Sequence, residues 1–204
     1  NDGTIISKDS NGAVGVTSVT VGTGVTIGDG RVTATSFVGS GANLTGLTSG
    51  LTTAYQFRLT SGLTLSNSTV ELTANWEKID NTGQGNLGTF ADPSSGVFTF
   101  PSTGIYLVRF NGYFEDTGDS PRSTLNILVT HNNGTDYSTV ASVNSSNSNL
   151  DTYTYSAGSV ESLVDVTDTS NVKVKFSAFN HSASLDGSST QNRTYVTFIR
   201  LGDT

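Results

Sequence analysis

The sequence predicts an all-β protein, on three observations. Apolar side chains recur at every second position in short runs, as over residues 172–178, where lysine and serine alternate with valine, phenylalanine and alanine. Clusters of Asn, Gly, Ser and Asp separate these runs, roughly every ten to twenty residues. No run sustains the 3.6-residue period of an amphipathic helix. We therefore expect a β-sandwich or jelly roll.

The composition points to a structural or extracellular β protein. The chain has 204 residues, and only 13% of them are charged, against about 25% in an ordinary globular domain. Thr, Ser, Asn and Gly supply the polarity instead, and they suit pleated surfaces and turns. A chain that begins at Asn1 and contains no methionine is expected to be a fragment of a longer polypeptide.

Charge and cysteine content exclude several classes of partner and site. The net charge of −7 and the pI of about 4.5 provide no basic footprint for nucleic acid or for an anionic membrane surface. Without cysteine, the chain can form no disulfide, zinc–thiolate site or cysteine nucleophile. No stretch approaches the ~18 apolar residues of a membrane span, so we expect no membrane insertion.

Residues 1–53 differ from the rest and predict a fibre shaft. They hold one aromatic residue, Phe37, and their valines and isoleucines alternate with frequent glycines. Strands so short and so poor in large side chains cannot bury a core alone. Three intertwined copies would supply the missing neighbours. We therefore expect an intertwined trimeric β shaft here, in preference to a flexible Gly/Ser linker.

Within this part, the segment ATSFVGSGANLTGL at residues 34–47 resembles a module repeated in the shafts of bacteriophage tail fibres. There, such a unit precedes a globular tip. The resemblance implies a protein of the virion, located in a tail fibre. It also implies contacts with other tail or virion proteins through the N-terminal part of the polypeptide.

Residues 54–204 are predicted to form the head. Nine strands are expected in it, separated by polar loops. They are Tyr55–Thr60, Trp76–Ile79, Gly96–Phe100, Ile105–Phe114, Ser123–His131, Tyr137–Val143, Thr152–Ser162, Val172–Phe179 and Tyr195–Leu201.

Three segments of the head carry a second resemblance. FPSTGIYLV at residues 100–108 is a tight turn followed by a strand, WEKI at 76–79 precedes Phe90, and YVTFIRL closes the domain at 195–201. Their order and spacing resemble the complement globular-head and tumour-necrosis-factor superfamily, a trimeric jelly roll. The resemblance implies a homotrimer coaxial with the shaft. It also implies that four aromatic residues fill the core or the trimer axis, namely Phe100, Tyr106, Phe110 and Phe198.

The acidic cluster Glu115, Asp116 and Asp119 is a candidate metal site. Carboxylate oxygens are the ligands that Ca²⁺ prefers, but the twelve-residue spacing of an EF-hand is absent. We favour a solvated loop that Arg122 neutralises, and we expect no cofactor. A structural cation, including one on the three-fold axis, is left open.

The sequence gives little support for an enzyme. The two histidines, His131 and His181, stand beside Asn-rich turns, and no Gly-x-Ser-x-Gly elbow occurs. A glycan hydrolase would need two carboxylates about 5–10 Å apart, for which Asp116 and Asp119 are the nearest candidates. We expect a protein that is not an enzyme and keep a tail-borne glycan hydrolase as an alternative.

Long polar loops are the expected binding surface, because Asn, Ser and Tyr held by a rigid scaffold make adaptable hydrogen bonds. The function that follows is trimeric attachment of a bacteriophage to a glycan or protein receptor on the host cell. The alternatives are a structural trimerisation cap and a fibre that decorates the capsid. The candidate receptor contacts are Asp116, Asp119, Arg122, Asn144, Asn147, Asn149, His181 and Asp186.

Overall fold

The computed structural model describes residues 50–117, 119–148 and 152–204, and it is all-β as predicted. The shaft expected over residues 1–53 lies outside these residues, apart from its last four. The strands of the described part are β1 (Ala54–Leu59), β2 (Leu63–Thr64), β3 (Ser68–Glu71), β4 (Trp76–Lys78), β5 (Phe98–Thr99), β6 (Gly104–Asp116), β7 (Ser120–Thr130), β8 (Ser138–Asn147), β9 (Thr154–Val166), β10 (Lys173–Asn180), β11 (Ser184–Leu185) and β12 (Tyr195–Gly202).

The strands form two antiparallel sheets. In sheet A, β6 is central, with β9 along one edge and β12 along the other, and β1 and β4 continue the sheet beyond β12. The short β11 and β2 extend it beside the end of β6. Sheet B has the order β3-β10-β7-β8, with β5 also paired to β10. The chain crosses repeatedly between the sheets, as a jelly roll does.

The turn from Pro101 to Gly104 makes one of these crossings. It does not close a hairpin, because β5 pairs with β10 in sheet B whereas β6 pairs with β9 and β12 in sheet A. The hydroxyl of Tyr106 donates to the backbone oxygen of Ser102 at 3.1 Å and fastens the turn. Gly104 has φ +136°, and a Cβ there would lie 2.4 Å from the oxygen of Gly202, so this position needs glycine.

The core fills the space between the sheets. Inward-facing residues alternate with outward ones along β6, which is why its apolar run has a period of two. Rings from opposite sheets meet there, and the centroids of Phe98 and Phe198 lie 5.2 Å apart. All four aromatic residues assigned to the core or axis are buried in it, namely Phe100, Tyr106, Phe110 and Phe198.

Several strand ends differ from the prediction. β6 continues to Asp116, two residues beyond its apolar run, because β9 pairs with it along its whole length. β9 correspondingly runs from Thr154 to Val166. The sequence pattern missed β2, β3 and β11, which have two to four residues each. β3 and β11 pair with the longer strands β10 and β6, and β2 pairs with β11. Nowhere in the described residues does a helix reach the length and apolarity needed to cross a bilayer.

Candidate functional site

Pairing registers bring three of the predicted loops to one end of the sandwich. Asp116 at the end of β6 lies opposite Thr154 at the start of β9. Ser120 at the start of β7 lies opposite the end of β8. Asn180 at the end of β10 lies opposite Ser123. We call this the loop end, and it consists of the connections between these strands.

Arg122 and His181, both candidate contacts, pack against the same residue, Phe179, on the outer face of sheet B at the loop end. The guanidinium carbon of Arg122 lies 4.3 Å from the ring centroid of Phe179. The His181 ring meets the same phenylalanine edge-on, with centroids 5.3 Å apart. Both polar side chains are exposed, whereas Phe179 is buried beneath them. The sequence pattern predicted that Arg122 neutralises an acidic loop and did not predict its contact with an aromatic ring.

Asn144 lies on the next strand of the same face. The Thr124 hydroxyl donates to Asn144 Oδ1 at 2.6 Å, and Thr124 lies directly opposite Phe179. The row across the outer face therefore runs from Phe179 through Thr124 to Asn144. Asn147 ends β8 at the loop end, and Asn149 lies outside the described residues.

The acidic candidates do not form one group. Consecutive residues of a strand point to opposite faces, so Glu115 and Asp116 at the end of β6 diverge. Asp116 is fully buried and faces the interior, whereas Asp119 is exposed beyond the strand. Within the described residues no three acidic, histidine or cysteine side chains come close enough to hold a metal ion.

Asp186 lies in the connection between β11 and β12, on the side of sheet A. It forms an ion pair with Arg193, and this hydrogen bond is the largest of the effects that raise the pKa of Arg193. Asp186 follows β11 of sheet A, whereas the row of Phe179, Thr124 and Asn144 lies on sheet B, so Asp186 does not belong to that row.

Asn180 sets the path of the chain that presents His181. Its Oδ1 accepts hydrogen bonds from the backbone N–H groups of Ser182 and Ala183, at 2.8 and 2.9 Å. Its Nδ2 donates to the Ser123 hydroxyl at 2.7 Å. Because Asn180 is fully buried, these three bonds fix the turn after β10 to the start of β7.

A second surface, the outward face of sheet A, carries apolar residues. Leu107 of β6 lies directly opposite Ile199 of β12 on one side and Leu163 of β9 on the other. Leu163 is 64% exposed. Leu201 of β12 is also exposed, whereas Val140 is the exposed large aliphatic residue of sheet B. We call the row of Ile199, Leu107 and Leu163 the aliphatic row.

Toward the loop end, the same outward face becomes aromatic. The rings of Tyr113 and Tyr155 stack with centroids 5.6 Å apart, and the Arg193 guanidinium lies 6.0 Å from the Tyr113 ring. Tyr113 and Arg193 border an open depression of about 340 Å³, which Asn111 and Tyr195 also line. Asn111 Nδ2 is buried in this chain and has no hydrogen-bond partner among the described residues.

Phe179, which both Arg122 and His181 contact, was not singled out by the sequence pattern. The alternation over residues 172–178 contains the signal. Continued by one residue, it places Phe179 on the face of Lys173 and Lys175, where a phenylalanine is out of pattern. An aromatic residue on a polar face is the observation that would have found it.

Comparison with solved structures agrees with the jelly-roll architecture. The structure of Eiger TNF from S. frugiperda is similar over 76% of this chain and 96% of that chain, with a TM-score of 0.54 and 14% identity. The fold is a tumour-necrosis-factor-like jelly roll. A crystal structure of murine APRIL is similar over 73% of this chain and 98% of that one, with 13% identity and a TM-score of 0.46.

At these identities the similarity concerns the fold alone. No protein-family model matches the chain, and no curated protein matches it.

Proposed function

We propose that this chain is the homotrimeric attachment head of a fibre, with the outward face of sheet A packed between the copies. The aliphatic row is the observation that carries the proposal. Three large aliphatic side chains side by side on a strand face lose contact with water when a second copy covers them, which favours association.

The opposite face of the sandwich supports this orientation. On sheet B the outward side chains hydrogen-bond to one another, as Asn126 does to the Ser177 hydroxyl at 3.1 Å. The polar groups of such a face already have hydrogen-bond partners, and the face is compatible with water. A trimer built on sheet A therefore leaves sheet B and the loop end pointing outward, where a receptor can reach them.

Three copies of one weak site on a common axis raise the overall affinity without any chemistry, because the second and third contacts form within one complex. The finer proposal is that the head is the tip of a bacteriophage tail fibre that binds a glycan or protein on the host cell. The resemblance of residues 34–47 to a tail-fibre shaft module supports that placement.

The oligomeric state is the first test. Light scattering on a sizing column should give the full chain a mass three times its 21.2 kDa. Leu163→Glu should shift the mass towards that of a monomer, because each interface would have to bury a charge. Val140→Glu, an exposed aliphatic residue of sheet B, is the matched control and should remain trimeric. A monomeric wild-type chain would overturn the proposal.

Attachment is the second test. The labelled trimer should adsorb to cells of at least one strain in a panel of bacteria, and the Leu163→Glu monomer should adsorb far less through loss of avidity. A stable trimer that adsorbs to no strain would favour the structural trimerisation cap instead.

A further inference from the structure

We propose that Arg122, with His181 beside it, binds the carboxylate of an acidic saccharide on the outer face of sheet B. The inference rests on the proposed attachment function and names the chemical class of the receptor. Its site consists of Arg122, His181, Phe179, Thr124 and Asn144, and we call it the Arg122 site.

The stack on Phe179 prepares Arg122 for a carboxylate. A guanidinium whose carbon lies over an aromatic ring still has N–H groups that point away from the ring. Those N–H groups form the fork that binds a carboxylate through two parallel hydrogen bonds. The ring also restricts the long side chain, which lowers the entropic cost of binding.

Arg122 differs from the other arginines of the described residues in its partners. Four of them form ion pairs with carboxylates of this chain, namely Arg58, Arg109, Arg193 and Arg200. None of the ion pairs in the described residues includes Arg122. In a chain of net charge −7, a cation that takes part in none of these ion pairs is a candidate to bind an anion from outside.

The surroundings favour a saccharide over other anions. His181 supplies ring nitrogens next to Phe179, the same ring that Arg122 contacts. The hydroxyl of Thr124 binds Asn144 Oδ1, so Asn144 Nδ2 is the group of this amide that would donate to a sugar hydroxyl. Neutral hydroxyl and amide groups around one arginine match a ring that bears several hydroxyls and one carboxylate.

Acidic residues also occur on the strands and connections around this face. Glu71 on β3 is engaged in an ion pair with Lys175, at 2.5 Å. Asp119 lies in the connection before β7, the strand that carries Arg122. Asp116 is fully buried at the end of β6. Salt screens charges more than about 8 Å apart.

The test is a calorimetric titration of the full trimeric chain with trigalacturonic acid, and with its methyl ester as the neutral counterpart. We expect the acid to bind and the ester to bind at least about 10-fold more weakly. Arg122→Ala should weaken binding of the acid by about 10- to 100-fold. Arg122→Lys should not restore it, because an ammonium group presents no fork.

Two further variants separate the site from general charge. Phe179→Leu should weaken binding while keeping the arginine, because the guanidinium loses its support. Lys173→Ala removes a cation from the same strand, at its far end, where it contacts Asn133. This matched control should bind like the wild type. Circular dichroism and the trimer mass show whether each variant is folded.

Four results would overturn the inference. Binding that is equal for acid and ester, or unchanged in Arg122→Ala, would remove the role of the carboxylate and the fork. Equal binding of hexaglutamate would assign the site to acidic peptides. No binding at millimolar trigalacturonic acid by a folded trimer would reject the site alone, whereas a monomeric chain would reject the proposed function.

Discussion

Arg58 of β1 and Glu77 of β4 form an ion pair across neighbouring strands, with Arg58 Nε 2.7 Å from Glu77 Oε1. The arginine side chain is only 1% exposed, although it lies on the outward face of sheet A. Asp80 and Gln84 accept further hydrogen bonds from its guanidinium. Burial alone would lower the pKa of Arg58, but the bonds to the two carboxylates outweigh it, and the net direction is upward.

Arg58→Ala should therefore destabilise the protein substantially. The substitution leaves Glu77 beside an emptied cavity. We expect the free energy of unfolding to fall by about 3 kcal/mol. This is the lower end of the range for a buried ion pair, because both carboxylates reach solvent. Urea unfolding at fixed protein concentration measures the loss. Lys78→Ala, which breaks the exposed pair with Asp92, is the control and should cost less than about 1 kcal/mol. Equal losses would contradict the buried pair.

Gly112 of β6 lies at a close contact between the two sheets, against Leu125 of β7. A Cβ there would lie 2.6 Å from Leu125 Cδ2 of β7, and one at Gly158 of β9 would lie 3.3 Å from Leu125 Cδ1. Gly112→Ala should cost about 1–3 kcal/mol by overpacking, and Gly158→Ala clearly less.

A double-mutant cycle identifies the cause of that loss. Leu125→Ala removes the side chain that the new methyl group would meet, so Gly112→Ala should cost less in that background. The free energies of unfolding, taken from urea denaturation, give the coupling. Additive losses would mean that the methyl group clashes with some other atom.

Much of the fold could be predicted from residues that alternate. Along β6, every second residue is buried, and Tyr106, Val108 and Phe110 reveal the strand without any knowledge of its partners. Its end could not be predicted in the same way. Asp116 is polar and follows the apolar run, yet it stays in the strand because Thr154 of β9 lies opposite. The backbone pairing extended the strand where the side-chain pattern had stopped.

The candidate site was predictable residue by residue but not as a cluster. Arg122 and His181 belong to segments whose polar sequence predicts loops, which is why both were candidates, although Arg122 lies in β7. They are 59 positions apart in the numbering, and both reach Phe179 only because β7 and β10 pair in a register that puts Thr124 opposite Phe179. Registers depend on long-range packing, and local propensity does not determine them.

Asp168 should make the stability depend on pH at acidic values. Its Oδ1 accepts from the backbone N–H and the hydroxyl of Ser170, at 2.8 and 2.7 Å, and its Oδ2 accepts from Asn171 Nδ2 at 2.8 Å. The bonds from Ser170 are the largest cause of a pKa below the ordinary value of 3.8. Hydrogen bonds to the charged carboxylate are present in the folded chain only, so they stabilise it.

The lowered pKa of Asp168 determines how the stability changes with pH. The stabilisation is complete above pH 3.8 and is lost as the pH falls through the lower pKa of the folded state. Asp168→Asn should be less stable than the wild type at neutral pH, and the difference should shrink below pH 3.8. Urea midpoints over this pH range measure it, with Asp92→Asn as the exposed control. A difference that stays constant with pH would exclude the carboxylate as its origin.

Asn180 links the stability of the loop end to the Arg122 site. Asn180→Ala removes the acceptor of the N–H groups of Ser182 and Ala183 and the donor to Ser123, and should cost about 3 kcal/mol because these groups lose their partner in a buried place. Ser123→Ala, which removes only one of the bonds, should cost about 1 kcal/mol. Because Asn180 directs the turn that carries His181, its replacement should also weaken trigalacturonic acid binding in the folded trimer. A variant that loses stability but binds the acid unchanged would show that the position of His181 does not matter to the Arg122 site.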